Sequence, residues 1–263
     1  MPGDNKLLVV DVGNTQTHFG IFEAGSDQVS EDWRFATVRE STCDELGAAL
    51  SNLLALRGLG FKDITRSIVS STVPQLSEQW MLMAERYLGH EMLVVGPGMK
   101  TGMPIRIDNP REVGADRLVN SVAAYDRYKT TCVVVDFGTA ITYDVVSDSG
   151  EYLGGIITPG AEISLDALYE RAAKLPKVEI IEPRALIGKS TVEAIRSGIA
   201  YGFAGQVEGI VRRLRAELGP DTTVIATGGL ARVVVPFARE TIDEVDDFLT
   251  LTGLRLIWEL NQD

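Results

Sequence analysis

One nine-residue stretch occurs twice in this chain, and that repeat constrains the fold more than any other feature. Val9-Val-Asp-Val-Gly-Asn-Thr-Gln-Thr17 aligns with Val134-Val-Asp-Phe-Gly-Thr-Ala-Ile-Thr142, with identities at Val9/Val134, Val10/Val135, Asp11/Asp136, Gly13/Gly138 and Thr17/Thr142. The copies lie about half of the 263-residue chain apart. That offset predicts two similar domains facing each other, not a solenoid. In the first copy the apolar run Leu7–Val10 reads as a buried strand. Asp11 ends it, and a carboxylate there is costly without a cation or several N–H donors as partners. Gly13 lets the backbone turn, Asn14, Thr15 and Thr17 add small polar groups, and His18–Phe22 leaves as a second strand. Donor-rich turns of this kind cradle phosphate through backbone N–H groups. One copy alone fits an ordinary hairpin as well as a phosphate loop. Two copies meeting across a cleft would bring Asp11 and Asp136 to the same phosphates.

A third piece completes the pattern. Thr223–Thr227 reads as a strand, and Gly228-Gly229 follows it before a helical stretch. Paired glycines at such a junction let a flat ligand approach the backbone, although a plain strand–helix turn has the same composition. Together the three pieces resemble the actin-like ATPase superfamily, in which two hairpin loops hold phosphates and a Gly-Gly turn abuts adenosine. Within that superfamily the resemblance narrows. Asp11-Val-Gly-Asn-Thr15, Asn109-Pro-Arg-Glu-Val-Gly-Ala-Asp-Arg117, Asp136-Phe-Gly-Thr139, Gly154-Gly-Ile-Ile-Thr-Pro-Gly160 and Thr227-Gly-Gly229 stand in the order found in type III pantothenate kinases and span nearly the whole chain. The fold so implied is α/β: two actin-like (ribonuclease H-like) domains, mixed sheets flanked by helices, with a nucleotide cleft between them. The expected division is 1–127, with the first phosphate loop, and 128–263, with the second loop and the adenosine turn.

Composition narrows the function classes. Apolar residues make up 45% of the chain, enough for real cores, and the net charge is −12. An acidic surface disfavours a nucleic-acid or anionic-membrane binder. The two cysteines, Cys43 and Cys132, are far apart and suggest neither a disulfide framework nor a zinc site. A polar start, Met1–Lys6, with no signal-like segment and no run of about 18 apolar residues leads to the expectation of a cytoplasmic protein.

Local signals place the elements. Thr42 and Glu45 have capping-box spacing, predicting a helix to about Arg57, and Ser190 and Glu193 repeat it before a long helix to about Leu218. Strands are expected near Trp33–Thr37, at Ile68–Ser71 and at Met92–Val95, and a helix over Gln75–Leu88. Pro110–Tyr128 reads as the helix joining the halves, Ala161–Ala173 as a later helix and Thr252–Leu260 as the last. Cys132–Asp136, Ala140–Ser147 and Tyr152–Ile157 read as three consecutive strands. A P-loop is excluded, because Pro183 stands where the first glycine of Gly-x-x-x-x-Gly-Lys-Ser would precede Gly188-Lys189-Ser190.

The resemblance also implies residue roles. Asp11, Val12, Gly13, Asn14, Thr15, Gln16, Thr17 and His18 cover the first ATP segment, with Thr139, Gly228 and Gly229 as further ATP contacts. Asp11 would orient magnesium-bound phosphates, its contact with the metal being indirect, and Asp136 would hold a monovalent cation, potassium or ammonium. Asp116 would accept the proton of the substrate hydroxyl. By position alone a carboxylate in a first helical turn fits dipole stabilisation equally well. Gly114, Ala115, Arg117 and Thr191 would touch pantothenate; a guanidinium matches its carboxylate, though Arg117 also fits a surface ion pair and Thr191 a helix cap. Many members of the family carry Tyr where this chain has Ile107. The implied protein is a homodimer whose substrate pocket draws on both subunits, with no nucleic-acid or membrane partner. Two rivals share the likeness: a non-catalytic transcription accessory factor, disfavoured by the four retained residues Asp11, Asp116, Arg117 and Asp136, and a chaperone or filament ATPase, for which the chain is short.

Overall fold

The apolar runs that flank the two acids become central strands of two five-stranded sheets. The structure, a computed structural model, describes residues 5–172 and 174–262. The strands are β1 (Lys6–Val12), β2 (Gln16–Phe22), β3 (Val29–Ala36), β4 (Ile64–Ser71), β5 (Leu93–Val94), β6 (Cys132–Phe137), β7 (Ala140–Val146), β8 (Tyr152–Pro159), β9 (Thr223–Thr227) and β10 (Glu244–Val245). The α-helices are α1 (Cys43–Ala55), α2 (Pro74–Met83), α3 (Ala115–Tyr128), α4 (Ala161–Arg171), α5 (Thr191–Leu218), α6 (Ala231–Val234) and α7 (Leu249–Leu260). The sheets have the orders β3-β2-β1-β4-β5 and β10-β9-β6-β7-β8. In each, the acid-bearing strand is antiparallel to the next strand in sequence and parallel to a later one. The fold is therefore the mixed α/β duplication that the repeat predicts.

Contacts divide the chain into two units: Met1–Met103, Asp108–Ala123 and Phe248–Asp263 form the first, Pro104–Ile107 and Ala124–Asp247 the second. In the first unit, period-2 alternation sends Leu8, Val10 and Val12, with Phe19 and Ile21, into a core with Leu50, Leu54 and Trp80 from α1 and α2. Each such side chain, fully buried, stabilises the unit by roughly 1.5–3 kcal/mol. The opposite face carries Leu7, Val9 and Asp11 and lies under α7: Arg66 stacks on Trp258, Arg255 on Phe22, and a side chain at Gly20 would strike Leu251. In the second unit Val133, Val135, Phe137, Ile141 and Tyr143 face Ala204, Val207 and Val211 of α5 and Ala231 and Val234 of α6.

Several elements differ from the sequence reading. Pro110–Tyr128 is not one helix: Asn109 Oδ1 accepts from Arg111 N at 3.3 Å to cap a short 3₁₀ turn, Pro110–Glu112, Val113 is extended, and α3 starts at Ala115. The Gly114 carbonyl accepts from Leu118 N at 3.2 Å at the start of that helix. The two capping boxes are also unequal. Thr42 and Glu45 make both reciprocal bonds. At α5, Ser190 accepts from Glu193 N at 3.2 Å, but the Glu193 carboxylate turns to Arg196 at 3.0 Å. Finally, α7 begins at Leu249, ahead of the expected start at Thr252, and groups with the first unit. The helix expected to end at Ala173 ends at Arg171, and Ala173 lies outside the described residues. Burial pushes the Cys132 thiol up to about 12, which suits an inert core residue.

Candidate active site

In the first hairpin, Asp11 sits at the end of β1, half-buried and directly opposite His18 of β2. The turn between them is closed by Gly13 N donating to Gln16 O at 3.0 Å, and Asn14, Thr15 and Gln16 are exposed at its tip. Side chains from both neighbouring strands hold it. On the β4 side, Thr72 donates from N and Oγ1 to Val12 O, at 2.9 and 3.1 Å, and Asn14 Nδ2 reaches Thr72 Oγ1 at 3.4 Å. On the β3 side, Thr37 N donates to Thr15 O at 2.9 Å, the Thr17 and Thr37 hydroxyls meet at 2.9 Å, and Arg39 donates to Asn14 Oδ1 at 3.1 Å. The eight residues from Asp11 to His18 are thus not equivalent. Val12 points into the core, Thr17 is buried against Thr37, and His18 is buried with Nε2 at 2.9 Å from Asp32 Oδ2. The exposed tip offers its backbone and the Asn14–Gln16 side chains to a ligand.

Asp116 lies in the same unit, in the first turn of α3, with Gly114 and Ala115 before it and Arg117 after it. A Cβ at Gly114 would come within 2.6 Å of Asp116 Oδ1, so the missing side chain keeps room for the carboxylate. Burial pushes the Asp116 carboxyl above its ordinary value; the backbone N–H and guanidinium of Arg117 pull weakly the other way. A carboxylate whose proton affinity is raised, at a helix start that favours its charge, is suited to accept a proton.

The second hairpin places Asp136 of β6 half-buried and opposite Thr142 of β7. Gly138 N donates to Ala140 O at 3.1 Å, and Gly160 N donates to Thr139 O at 3.1 Å. A Cβ at Gly160 would collide with the carbonyls of Thr139 and Gly138. Gly228, at φ +93°, lies so close that a Cβ there would strike Asp136 Oδ1 and Phe137 N. Hence Gly228 must be glycine for two reasons, its positive φ and its contact. Thr142 Oγ1 donates to Asp144 Oδ2 at 3.0 Å, and Tyr152 OH donates to Asp144 Oδ1 at 2.8 Å, so this fully buried carboxylate is held by two hydroxyls. Thr191 opens α5, exposed, one residue after the Ser190 cap. Ile107 lies against Gly154.

The alignment of the two copies holds through the glycine and then slips. Thr17 and Thr142 match in sequence, yet Thr17 faces Val12 while Thr142 faces Asp136. The register counterpart of Thr142 is His18. Sequence reading also passed over Thr37, Arg39 and the Ser70-Ser-Thr72 run. Hydroxyls at the carboxyl end of a buried parallel strand are a signal, because ligands of open α/β sheets bind beyond that end.

No group of three or more His, Cys, Asp or Glu side chains among the described residues is arranged to hold a metal ion. Magnesium in a kinase takes most of its ligands from water and phosphate and needs one or two carboxylates. Asp11 can supply that contact. For a monovalent cation, Asp136 offers a carboxylate beside a glycine turn with no side chain in the way.

Two mixed sheets, each opening on an acid-bearing hairpin, define the class: this is a protein of the actin-like ATPase fold, to which the sugar kinases belong. A Streptomyces griseus ROK family glucokinase, solved with glucose and AMPPNP, shares that fold at a TM-score of 0.53 and 13% identity, over 97% of this chain and 99% of its own. The type III pantothenate kinase family matches residues 7–213, and the chain belongs to it. The type III pantothenate kinase of Moorella thermoacetica is 52% identical over 255 residues, covering 97% of this chain and 99% of that protein. That of Geobacter sulfurreducens is 49% identical over 257 residues, covering 98% and 100%. No helix among the described residues is long and apolar enough to cross a membrane.

Proposed function

We propose that this protein is an ATP-dependent kinase that phosphorylates the primary hydroxyl of pantothenate, giving 4′-phosphopantothenate at the entry to coenzyme A synthesis. Family membership over nearly the full length supports the reaction. The observation that carries the site is Asp116, a carboxylate whose proton affinity burial has raised, with space kept beside it by Gly114. In the proposed reaction Asp116 takes the proton of the substrate hydroxyl. The freed oxygen attacks the γ-phosphorus, the bond from that phosphorus to the bridging oxygen breaks, and ADP leaves. Phosphoryl transfer asks of the protein mainly positioning and charge neutralisation. The Gly13–Gln16 backbone and Asp11 serve the phosphates, as do Thr139 and the Gly228-Gly229 turn for ATP. Magnesium, when bound with ATP, neutralises phosphate charge. Gly114, Ala115, Arg117 and Thr191 bind pantothenate, Arg117 through its carboxylate.

Asp136 holds a monovalent cation in this reading, which offsets repulsion between its carboxylate and the phosphates. The working form is a cytoplasmic homodimer whose substrate pocket draws on both subunits. The test is ATP consumption with and without pantothenate, in potassium, sodium and a bulky organic cation at matched ionic strength. Turnover should require pantothenate and fall strongly without potassium or ammonium. ATP hydrolysis independent of pantothenate would refute the kinase, and equal rates in all three salts would refute the cation site.

A further inference from the structure

Three consecutive hydroxyls close β4 and lead into the first hairpin's support. Thr72 holds Val12 O, and Ser71 Oγ donates to Val73 O at 2.9 Å while accepting from Val73 N at 3.0 Å. Ser70 is different. It is 0% exposed, and among the described residues its Oγ has no hydrogen-bond partner. A buried hydroxyl without a partner is costly and uncommon enough to need a reason. Its place in the sheet supplies one. Ser70 is the register partner of Asp11 on the adjacent parallel strand, and Asp11 is in turn the partner of His18. The row Ser70–Asp11–His18 runs across one face of the sheet. His18 Nε2 lies 2.9 Å from Asp32 Oδ2 on its far side, and Ser70 is the hydroxyl on the other flank of Asp11. Register partners stand one strand spacing apart, about 4.8 Å. Rotation of the serine side chain about χ1 sweeps its oxygen through that gap.

We propose that Ser70 is a positioning residue: in the nucleotide-loaded enzyme its hydroxyl donates to the Asp11 carboxylate and fixes the plane in which that carboxylate meets the metal–phosphate group. This rests on the nucleotide role of Asp11 given above. A hydroxyl–carboxylate bond is charge-assisted and short, so it orients its acceptor strongly. Ser70 itself touches no ligand, because it is shut off from solvent.

Two roles give opposite signatures in Ser70→Ala. Were the hydroxyl an unused polar atom in the core, its removal would leave nucleotide binding unchanged and hold or raise the melting temperature. As a positioning donor, its loss should raise KM for Mg·ATP roughly tenfold or more, the usual size for a hydrogen bond to a charged group. kcat should stay within about twofold and KM for pantothenate should not move, while the melting temperature still holds. Calorimetry of the purified full chain should show weaker ATP binding with magnesium and parental binding in EDTA. Ser70→Thr, which keeps the donor, should bind Mg·ATP like the parent. Parental Mg·ATP affinity in Ser70→Ala overturns the proposal. Asp11→Asn, measured alongside, separates two failures. If it weakens Mg·ATP binding and Ser70→Ala does not, the serine has no role. If Asp11→Asn binds normally, the nucleotide role of Asp11 falls first. In the Asp11→Asn background, Ser70→Ala should add no further loss, and an additive loss also overturns the proposal.

Discussion

Asp11 faces His18, seven positions on, whereas Asp136 faces Thr142, six positions on. One extra residue in the first turn therefore changes the neighbour of the acid from a hydroxyl to an imidazole, although the sequences align through the same glycine. The two turns are also fixed by different means. The first adds side-chain ties to its backbone bonds: the Thr72 and Thr37 hydroxyls and Arg39 reach in beside the adjoining strands, and its tip stays exposed. The second is closed by backbone: Gly160 and Gly228 press against it where no Cβ fits. A polar tie tolerates small shifts, while a backbone contact without clearance does not. A repeated motif can thus keep its acid and its glycine while its support is rebuilt, and the support decides how each copy tolerates mutation.

The largest effect should come from a residue in neither hairpin. Asp116→Asn should lower turnover by roughly 10²–10⁴-fold, the usual worth of a positioned general base, with ATP affinity unchanged. Its stability should move the other way. Burial raises the folded-state proton affinity of Asp116 above that of the unfolded chain. Stability from this group is then lost as pH rises from the ordinary carboxylate range through the raised folded value. Above that window the ionised carboxylate is a standing cost, which the amide removes, so the melting temperature at neutral pH should hold or rise. The acid limb of the parent's kcat/KM profile should sit above the ordinary carboxylate range. Near-parental turnover in Asp116→Asn would leave the acid as a helix stabiliser only.

Next in size is Gly228→Ala. A side chain at φ +93° against Asp136 and Phe137 should destabilise the chain by about 2–5 kcal/mol, summing strain and overpacking. Gly229→Ala, with nothing within 4 Å, is the control and should be near neutral. Equal melting temperatures for both variants would erase the claim that backbone contact fixes the second turn. The smallest effect is Thr72→Val, which removes the hydroxyl's bonds to Val12 O and Asn14 with little change of shape and leaves the backbone bond to Val12 in place. It should cost about 1 kcal/mol, read as a modest rise in KM for ATP with kcat unchanged. A loss of stability as large as that of Gly228→Ala would mean the two turns are fixed alike.

Much of this was legible in the sequence for a simple reason: apolar runs ended by Asp and Gly are local, and local signals survive folding. β9 falls at Thr223–Thr227, as the run there predicts, and the Thr42–Glu45 box forms in full. The hairpin register was not legible, because Thr17 and Thr142 match by letter while turn length sets which one faces an acid. Nor was the start of α3, where Val113 takes an extended backbone between a 3₁₀ turn and the helix. Ser70 and Thr72 looked like strand-end residues; their meaning comes from pairing with β1, a contact made across some sixty positions of chain. The placement of α7 was invisible for the same reason, since an apolar helix does not name the sheet it covers.

That placement sets an order of events in synthesis. The sheet face bearing Leu7, Val9 and Asp11 is made well before the helix that covers it. Residues 124–247, the second unit except for Pro104–Ile107, are translated in between. At the 5–20 residues per second typical of ribosomes, that is roughly 6–25 s during which the first unit has strands but no roof. Nascent chains of this protein should therefore expose that apolar face to chaperones and proteases until α7 emerges, and only then should the first unit become protease-resistant.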